Sequence, residues 1–204
     1  MKTVKLKLLM GFLLLMVIPS TIFSQEENQR PEYITVTTGH WNLNYENFNK
    51  GEWIAVEKEF LDKVVKKNEF ILRSFVFLHR FTPDNTEIIF VNTYSSWDNI
   101  DKAYKRSGEL AKEAWPDKDE RAAYFKKKDA YYTHHHSDEI YAPIGGTKML
   151  QPTNKEMIWL VVKGHFAFPE DGSMKEFDEL SKQYLDNVIQ KNEFIKGFYQ
   201  HGHA

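Results

Sequence analysis

Cysteine is absent from all 204 residues, which excludes a disulfide framework, a thiolate metal site, a cysteine nucleophile and a lipid-modified N-terminal cysteine. No glycine-rich phosphate loop and no G-x-S-x-G turn occurs either. Nor is there a basic excess. Lys and Arg number 27 against 29 Asp and Glu, a balance that argues against nucleic acid as a partner. Long apolar runs are scarce. The one from Leu8 to Ile18 follows Lys2, Lys5 and Lys7 and leads through Pro19 to small residues ending at Ser24. It is shorter than the ~20 residues a spanning helix needs, and its flanks have the pattern of a signal peptide over residues 1–24. The expectation is an exported protein, periplasmic or secreted, with no stable membrane insertion after cleavage. Removing 24 of the 204 residues leaves 180, and losing three lysines leaves 24 basic against 29 acidic side chains, a formal charge of −5. That length suits one domain, 25–204, with a core of its own. An aromatic content of 15% supplies the core.

What is present is a repeat. Phe60 to Ile71 matches Tyr184 to Ile195 at eight of twelve positions, including the shared Lys-Asn-Glu-Phe-Ile ending. Upstream, Ile34-Thr35-Val36-Thr37-Thr38-Gly39-His40-Trp41 aligns with Trp159-Leu160-Val161-Val162-Lys163-Gly164-His165-Phe166, one residue out of that register. A strand and the helix after it are duplicated together. Unit one spans 33–141, a Pro- and Gly-bearing connection spans 142–156, and a partial unit two spans 157–204.

Periodicity assigns the elements. Tyr33 to Leu43 is β-branched and proline-free, a strand. From Glu52, Trp53, Val56, Phe60 and Val64 recur at three- and four-residue steps, an amphipathic helix. Ile71 to Phe81 and Glu87 to Tyr94 form a hairpin about Pro83-Asp84-Asn85. Ser95 or Ser96 caps a helix with a buried stripe of Trp97, Ile100, Tyr104, Ala111 and Trp115, ended by Pro116. Asp117 and Glu120 form a capping box for an extra helix reaching His135 and about Ser137. Met157 to Phe168, Met174 to Gln190 and Phe194 to His201 repeat strand, helix and strand, with Phe177, Leu180, Tyr184 and Val188 on the inner helix face. Each β-α-β packs its helix on one sheet face. The strand Ile71 to Phe81 is apolar on both sides, so the other face requires a protein cover as well.

The fold class expected is therefore α+β, built of ferredoxin-like β-α-β repeats that form a dimeric α+β barrel-like core. The second repeat is incomplete and an extra helix is inserted. The run Phe90-Val91-Asn92-Thr93-Tyr94-Ser95-Ser96-Trp97-Asp98-Asn99-Ile100, a strand turning directly into a helix, resembles the dimeric α+β barrel group. That group includes the antibiotic-biosynthesis and haem-degrading monooxygenases. The resemblance covers roughly Tyr33 to Tyr104 and, through the repeat, Met157 to His201; it lies in the order of elements. It implies a small-molecule-binding barrel, monooxygenase-like, acting on an apolar or aromatic ligand or on haem. The extra helix and the missing last strand pair depart from the group, and none of its catalytic residues carries over. The truncated second unit leaves a sheet edge uncovered, which predicts a homodimer.

Three constellations are candidates for chemistry. His40 and His165 are repeat equivalents, each after a glycine, and His79 and His203 match at the second strand. If the units face one another, these imidazoles converge on a small-molecule ligand, a divalent metal or a haem, with Trp41 and Phe166 beside them. The bland alternative is four packing residues. The run His134-His135-His136-Ser137-Asp138-Glu139, read as a helix end, sets His134 over Asp138 and His135 over Glu139 at the one-turn spacing of a metal pair. Its alternative is a solvated helix end whose histidines face the helix dipole. Trp41, Trp53, Phe75, Phe77, Phe90, Tyr94, Trp159 and Phe166 either surround a ligand pocket or are simply core. This leaves an apolar-ligand-binding barrel, a metal-binding protein built on His134 to Glu139, and a structural protein as the readings to separate.

Overall fold

The computed structural model describes residues 31–79, 83–151, 153, 155, 157–165 and 170–204. The proposed leader 1–24 and the candidate contact Phe166 lie outside them. Strand β1 (Tyr33–Trp41) has both edges paired, with β3 (Glu87–Tyr94) on one side and β4 (Tyr132–Pro143) on the other, both antiparallel. Strand β2 (Arg73–Leu78) lies outside β3, and β5 (His201–His203) lies outside β4. The order is β2-β3-β1-β4-β5 in one antiparallel sheet. Strands β1 and β2 run the same way with β3 between them, and β3 and β4 run the same way with β1 between them. Each crossover thus skips one strand, and unit one is a complete ferredoxin-like β-α-β-β-α-β in an α+β protein, as expected. The first crossover holds α1 (Lys50–Lys63); the second holds α2 (Asp98–Ala114) and the inserted α3 (Lys118–Asp129). Unit two contributes α4 (Met174–Tyr184), a π-helical turn (Leu185–Ile189) and β5. Rather than forming a half-sheet of its own, it hands its last strand to the sheet of unit one.

The repeat is visible in local hydrogen bonds. Asn49 Oδ1 accepts from the Glu52 amide at 3.0 Å, and the equivalent Ser173 Oγ accepts from the Glu176 amide at 3.2 Å. Both are N-caps, satisfying a donor that the first helical turn leaves free. After the helices, Asn68 Oδ1 takes the Phe70 amide and Asn192 Oδ1 takes the Phe194 amide. In unit one the Asn68 side-chain amide also donates to Ala103 O and Ser107 Oγ on α2.

Several expected faces are corrected. In α1 the predicted residues Trp53, Val56 and Val64 are buried, but in α4 and its π turn the buried positions are Ser181, Leu185 and Ile189. These are the copies of Glu57, Leu61 and Val65, so α4 is rolled by one residue. The predicted inner face keeps Leu180, Tyr184 and Val188 exposed. Leu185 meets the backbone at Gly146, where a Cβ would stand 2.2 Å from its Cδ2, and Gly145 beside it takes φ +60°. In α2 the buried stripe is Ala103, Leu110, Ala111 and Trp115, while Tyr104 and Trp97 are exposed. The inserted helix has its predicted cap, Asp117 Oδ1 accepting from Asp119 and Glu120, but ends at Asp129. Tyr131, fully buried against Tyr45 and Phe48, halts it, and the chain turns into β4. His134 to Glu139 is therefore strand, not helix.

The helices cover the sheet face carrying Trp41, Ile88, Phe90 and Tyr132. Within this aromatic layer sits a largely enclosed, part-buried polar knot. Glu57 Oε1 accepts from Lys128 Nζ and from the Tyr132 hydroxyl, each at 2.5 Å, and that hydroxyl accepts from Trp53 Nε1 at 2.7 Å. Lys128 also lies over the rings of Phe60, Phe90 and Tyr132. Burial first, and then the Glu57 carboxylate, raise the Tyr132 phenol well above its usual range and keep it a donor. One carboxylate thereby fastens α1, α3 and β4 together. Removing one member of such a pair strands the other charge, so Glu57→Gln is expected to lower stability by about 3 kcal/mol in urea denaturation. Glu57→Met with Lys128→Met should recover most of that loss.

Candidate functional site

Alternation along the strands sends every second side chain to the face away from the helices. There the registers align whole rows. One row is Phe75, Val91, Val36 and Glu139; the next is Arg73, Thr93, Ile34, Tyr141 and His203. Phe77 and Ile89 extend the apolar floor. These floor residues are half-buried.

Against this face lies the segment Met157–His165, the copy of β1, which is not a strand here. Trp159 packs on Phe75 and Phe77 at ring separations of 6.0 and 5.6 Å and on Tyr199 at 6.2 Å. Four residues on, Lys163 Nζ donates to Glu139 Oε2 at 2.9 Å. The segment's two contacts thus fall at opposite ends of the row from Phe75 on β2 to Glu139 on β4. Between its two contacts Val161 remains 61% exposed. This face therefore carries an aliphatic floor, with aromatic rings at the β2 end as one wall and the Glu139–Lys163 pair at the β4 end as a polar wall.

The polar wall is electrostatically coupled. Lys163 holds the Glu139 carboxyl below the usual carboxylate range, and Glu139 in turn raises the Lys163 ammonium. Tyr141, raised by burial and then by Glu139, faces the same carboxylate, and the His203 ring meets Tyr141 edge-on at 5.5 Å. The wall can donate hydrogen bonds from a lysine and a phenol while keeping one fixed negative charge.

The predicted site residues scatter. His40 pairs with Asp84 at 3.2 Å and Thr86 at 3.3 Å in the β2–β3 turn. Two Thr86 hydrogen bonds, then His40, hold the Asp84 carboxyl low. His165 is exposed, and no ion pair or hydrogen bond joins it to His40. His79 follows β2 and His203 lies on β5, the two opposite edges of the sheet, so that pair does not converge. Trp41 is on the helix side, packed on Trp53 and Phe48, because neighbouring strand residues face opposite ways. In β4, His134 and Asp138 point to one face and His135 and Glu139 to the other. Asp138 takes bonds from Thr37 and pairs with His136, while Glu139 goes to Lys163. Among the described residues no three histidine or acidic side chains are grouped to hold a metal ion. Of the eight expected interior aromatics, Phe166 lies outside the described residues; Trp41, Trp53, Phe90 and Tyr94 are core under the helices, and Phe75, Phe77 and Trp159 stand on the opposite face. Tyr141 and Lys163 went unmarked in the sequence; the signal was two-residue alternation with Glu139 for the first and repeat equivalence to Thr38 for the second.

No family model matches this chain, and no curated protein matches it. Among solved structures, SnoaB, a cofactor-independent oxygenase from Streptomyces nogalater, aligns over 62% of this chain and 100% of its own at 11% identity and a TM-score of 0.36. An antibiotic biosynthesis monooxygenase aligns over 55% and 98% at 9% identity and 0.38. A dimeric protein of unknown function and ferredoxin-like fold from Bacteroides fragilis aligns over 54% and 96% at 11% identity and 0.33. At these identities and TM-scores the likeness carries nothing about chemistry. Among the described residues no helix is long and apolar enough to cross a membrane.

The Lys163–Glu139 bridge clamps one end of the cover. Because Glu139 is depressed in the folded protein, its contribution is complete above its ordinary value of 4.5 and is lost as pH falls through the lower folded value. The Trp159 emission, taken as wild type minus Trp159→Phe, should therefore shift to the red only below pH 4.5. In Glu139→Gln the shift should already be present at neutral pH.

Proposed function

We propose that the sheet face beneath Trp159–Lys163 forms a slot that binds a small, flat, apolar or aromatic molecule. The observation that supports this reading is a half-buried floor of valines and phenylalanines contacted by Trp159 at one end and bordered by the Lys163–Glu139 pair at the other. Phe75, Phe77 and Trp159 offer ring faces for stacking. Lys163 and Tyr141 offer donors to a polar substituent, and His203 stands at the rim. A few placed polar groups on an apolar lining are what small-ligand sites share. Monooxygenase-like turnover of the bound molecule is the finer form of this proposal. We also propose that the chain is exported, on the pattern of residues 1–24; the secreted product should begin at Gln25 by mass spectrometry.

Binding is tested with two probes, anilinonaphthalene sulfonate followed by fluorescence and haemin followed by absorbance. One saturable site per chain is expected, weakened at least tenfold by Val91→Glu, which places a charge on the floor. Equal affinity in the variant would remove the slot as the site. Oxygen uptake with a bound aromatic substrate tests turnover.

A further inference from the structure

The duplication copied a helix seat along with a helix. In unit one, one side of α1 and the turn after it hold α2. Phe60, Val64 and Asn68 stand at four-residue steps along that side, one above another. Val64 is fully buried in a cluster with Leu110 and Ala111 of α2, and Phe60 packs against the same cluster. Asn68 Nδ2 donates to Ala103 O at 2.8 Å and to Ser107 Oγ at 2.9 Å, and Arg106 reaches the Glu69 carboxylate at 3.3 Å. What α2 offers its seat is therefore Ala103, Arg106, Ser107, Leu110 and Ala111, a small residue followed by arginine, serine, leucine and alanine along one helix face.

Unit two carries the same seat facing outward. Tyr184, Val188 and Asn192 are the copies of Phe60, Val64 and Asn68, and Glu193 copies Glu69. The turn is built alike, Asn192 Oδ1 accepting from the Phe194 amide as Asn68 Oδ1 accepts from Phe70. Yet Val188 is 44% exposed where Val64 is at 0%, and Tyr184 and Phe194 are exposed with it. We infer that this second seat receives a helix of a partner protein that presents the face α2 presents to the first. Leucine and alanine of such a helix would cover Tyr184 and Val188, a burial of apolar surface on both sides. Its small residue lets the backbone come close enough for Asn192 Nδ2 to donate to a carbonyl, with serine one turn on as a second acceptor. Glu193 supplies the charge that selects arginine over an acidic residue there. This is recognition of one amphipathic helix by spaced anchors. A second copy is not the occupant, because its α2 already uses that face on its own unit one. Phe75, Val91 and Glu139 take no part, so the inference stands apart from ligand binding.

A synthetic peptide of α2 itself, Asp98–Ala114, carries the required face and serves as the probe. Labelled and titrated with chain 25–204, it should bind one site per chain in fluorescence anisotropy and gain helix in circular dichroism. Val188→Lys should weaken binding about tenfold. Asn192→Asp, which keeps the oxygen that holds the turn and removes the donor, should weaken it about fivefold. Both variants should keep the far-ultraviolet spectrum of the wild type. A peptide with Arg106→Glu should bind the wild type poorly and Glu193→Arg better. No binding at about 1 mM peptide overturns the inference. So does binding that Val188→Lys and Asn192→Asp leave unchanged, which would place the peptide on the seat of unit one in exchange for α2.

Discussion

Everything in this molecule hangs on β1 being paired along both edges while its two sides meet different surroundings. Pairing fixes the registers, and the registers sort every side chain of the sheet into a helix-covered layer or an open one. The covered layer is closed by aromatic packing and by the Glu57–Lys128–Tyr132 knot, which joins three elements at one carboxylate. The other layer is contacted by the segment Met157–His165 through Trp159 and Lys163. A tight side and a loosely roofed side of the same five strands are one constraint seen from two directions.

Much of the fold was legible because the repeat preserves local grammar. Asn49 and Ser173 begin their helices in the same way, and Asn68 and Asn192 close them with the same turn. Local chemistry survives duplication because it needs only neighbours in sequence. Burial does not survive it. The inner face of α1 is defined by the sheet it covers, and α4 has no such sheet, so it rolled until Ser181, Leu185 and Ile189 met the connection near Gly146. Tyr104 was misplaced for a similar reason: the stripe on α2 is set by where α1 lies, through Val64 and Phe60.

The candidate site was less legible, and β4 shows why. From His134 to Asp138 this strand is exposed on both faces, so it carries no apolar alternation for a reader to detect. Three histidines followed by two acids invite a helical metal reading; in a strand the same residues divide between faces and find separate partners. His40 and Trp41 illustrate the same rule at a single step. The aromatic wall of Phe75, Phe77 and Trp159 was visible as a set of interior candidates, but which side of the sheet each would take depended on registers that only the folded chain displays.

The apolar run Met157–Val162 carries a hazard of its own. Six residues of high strand propensity, uncharged and free of proline and glycine, have the composition of a segment that stacks into cross-β fibrils. Glu156 before it and Lys163 after it are charges placed where they interrupt such stacking. Lys163 therefore serves solubility as well as the site, and a change that neutralised it would expose the chain to fibrillation before it altered the fold.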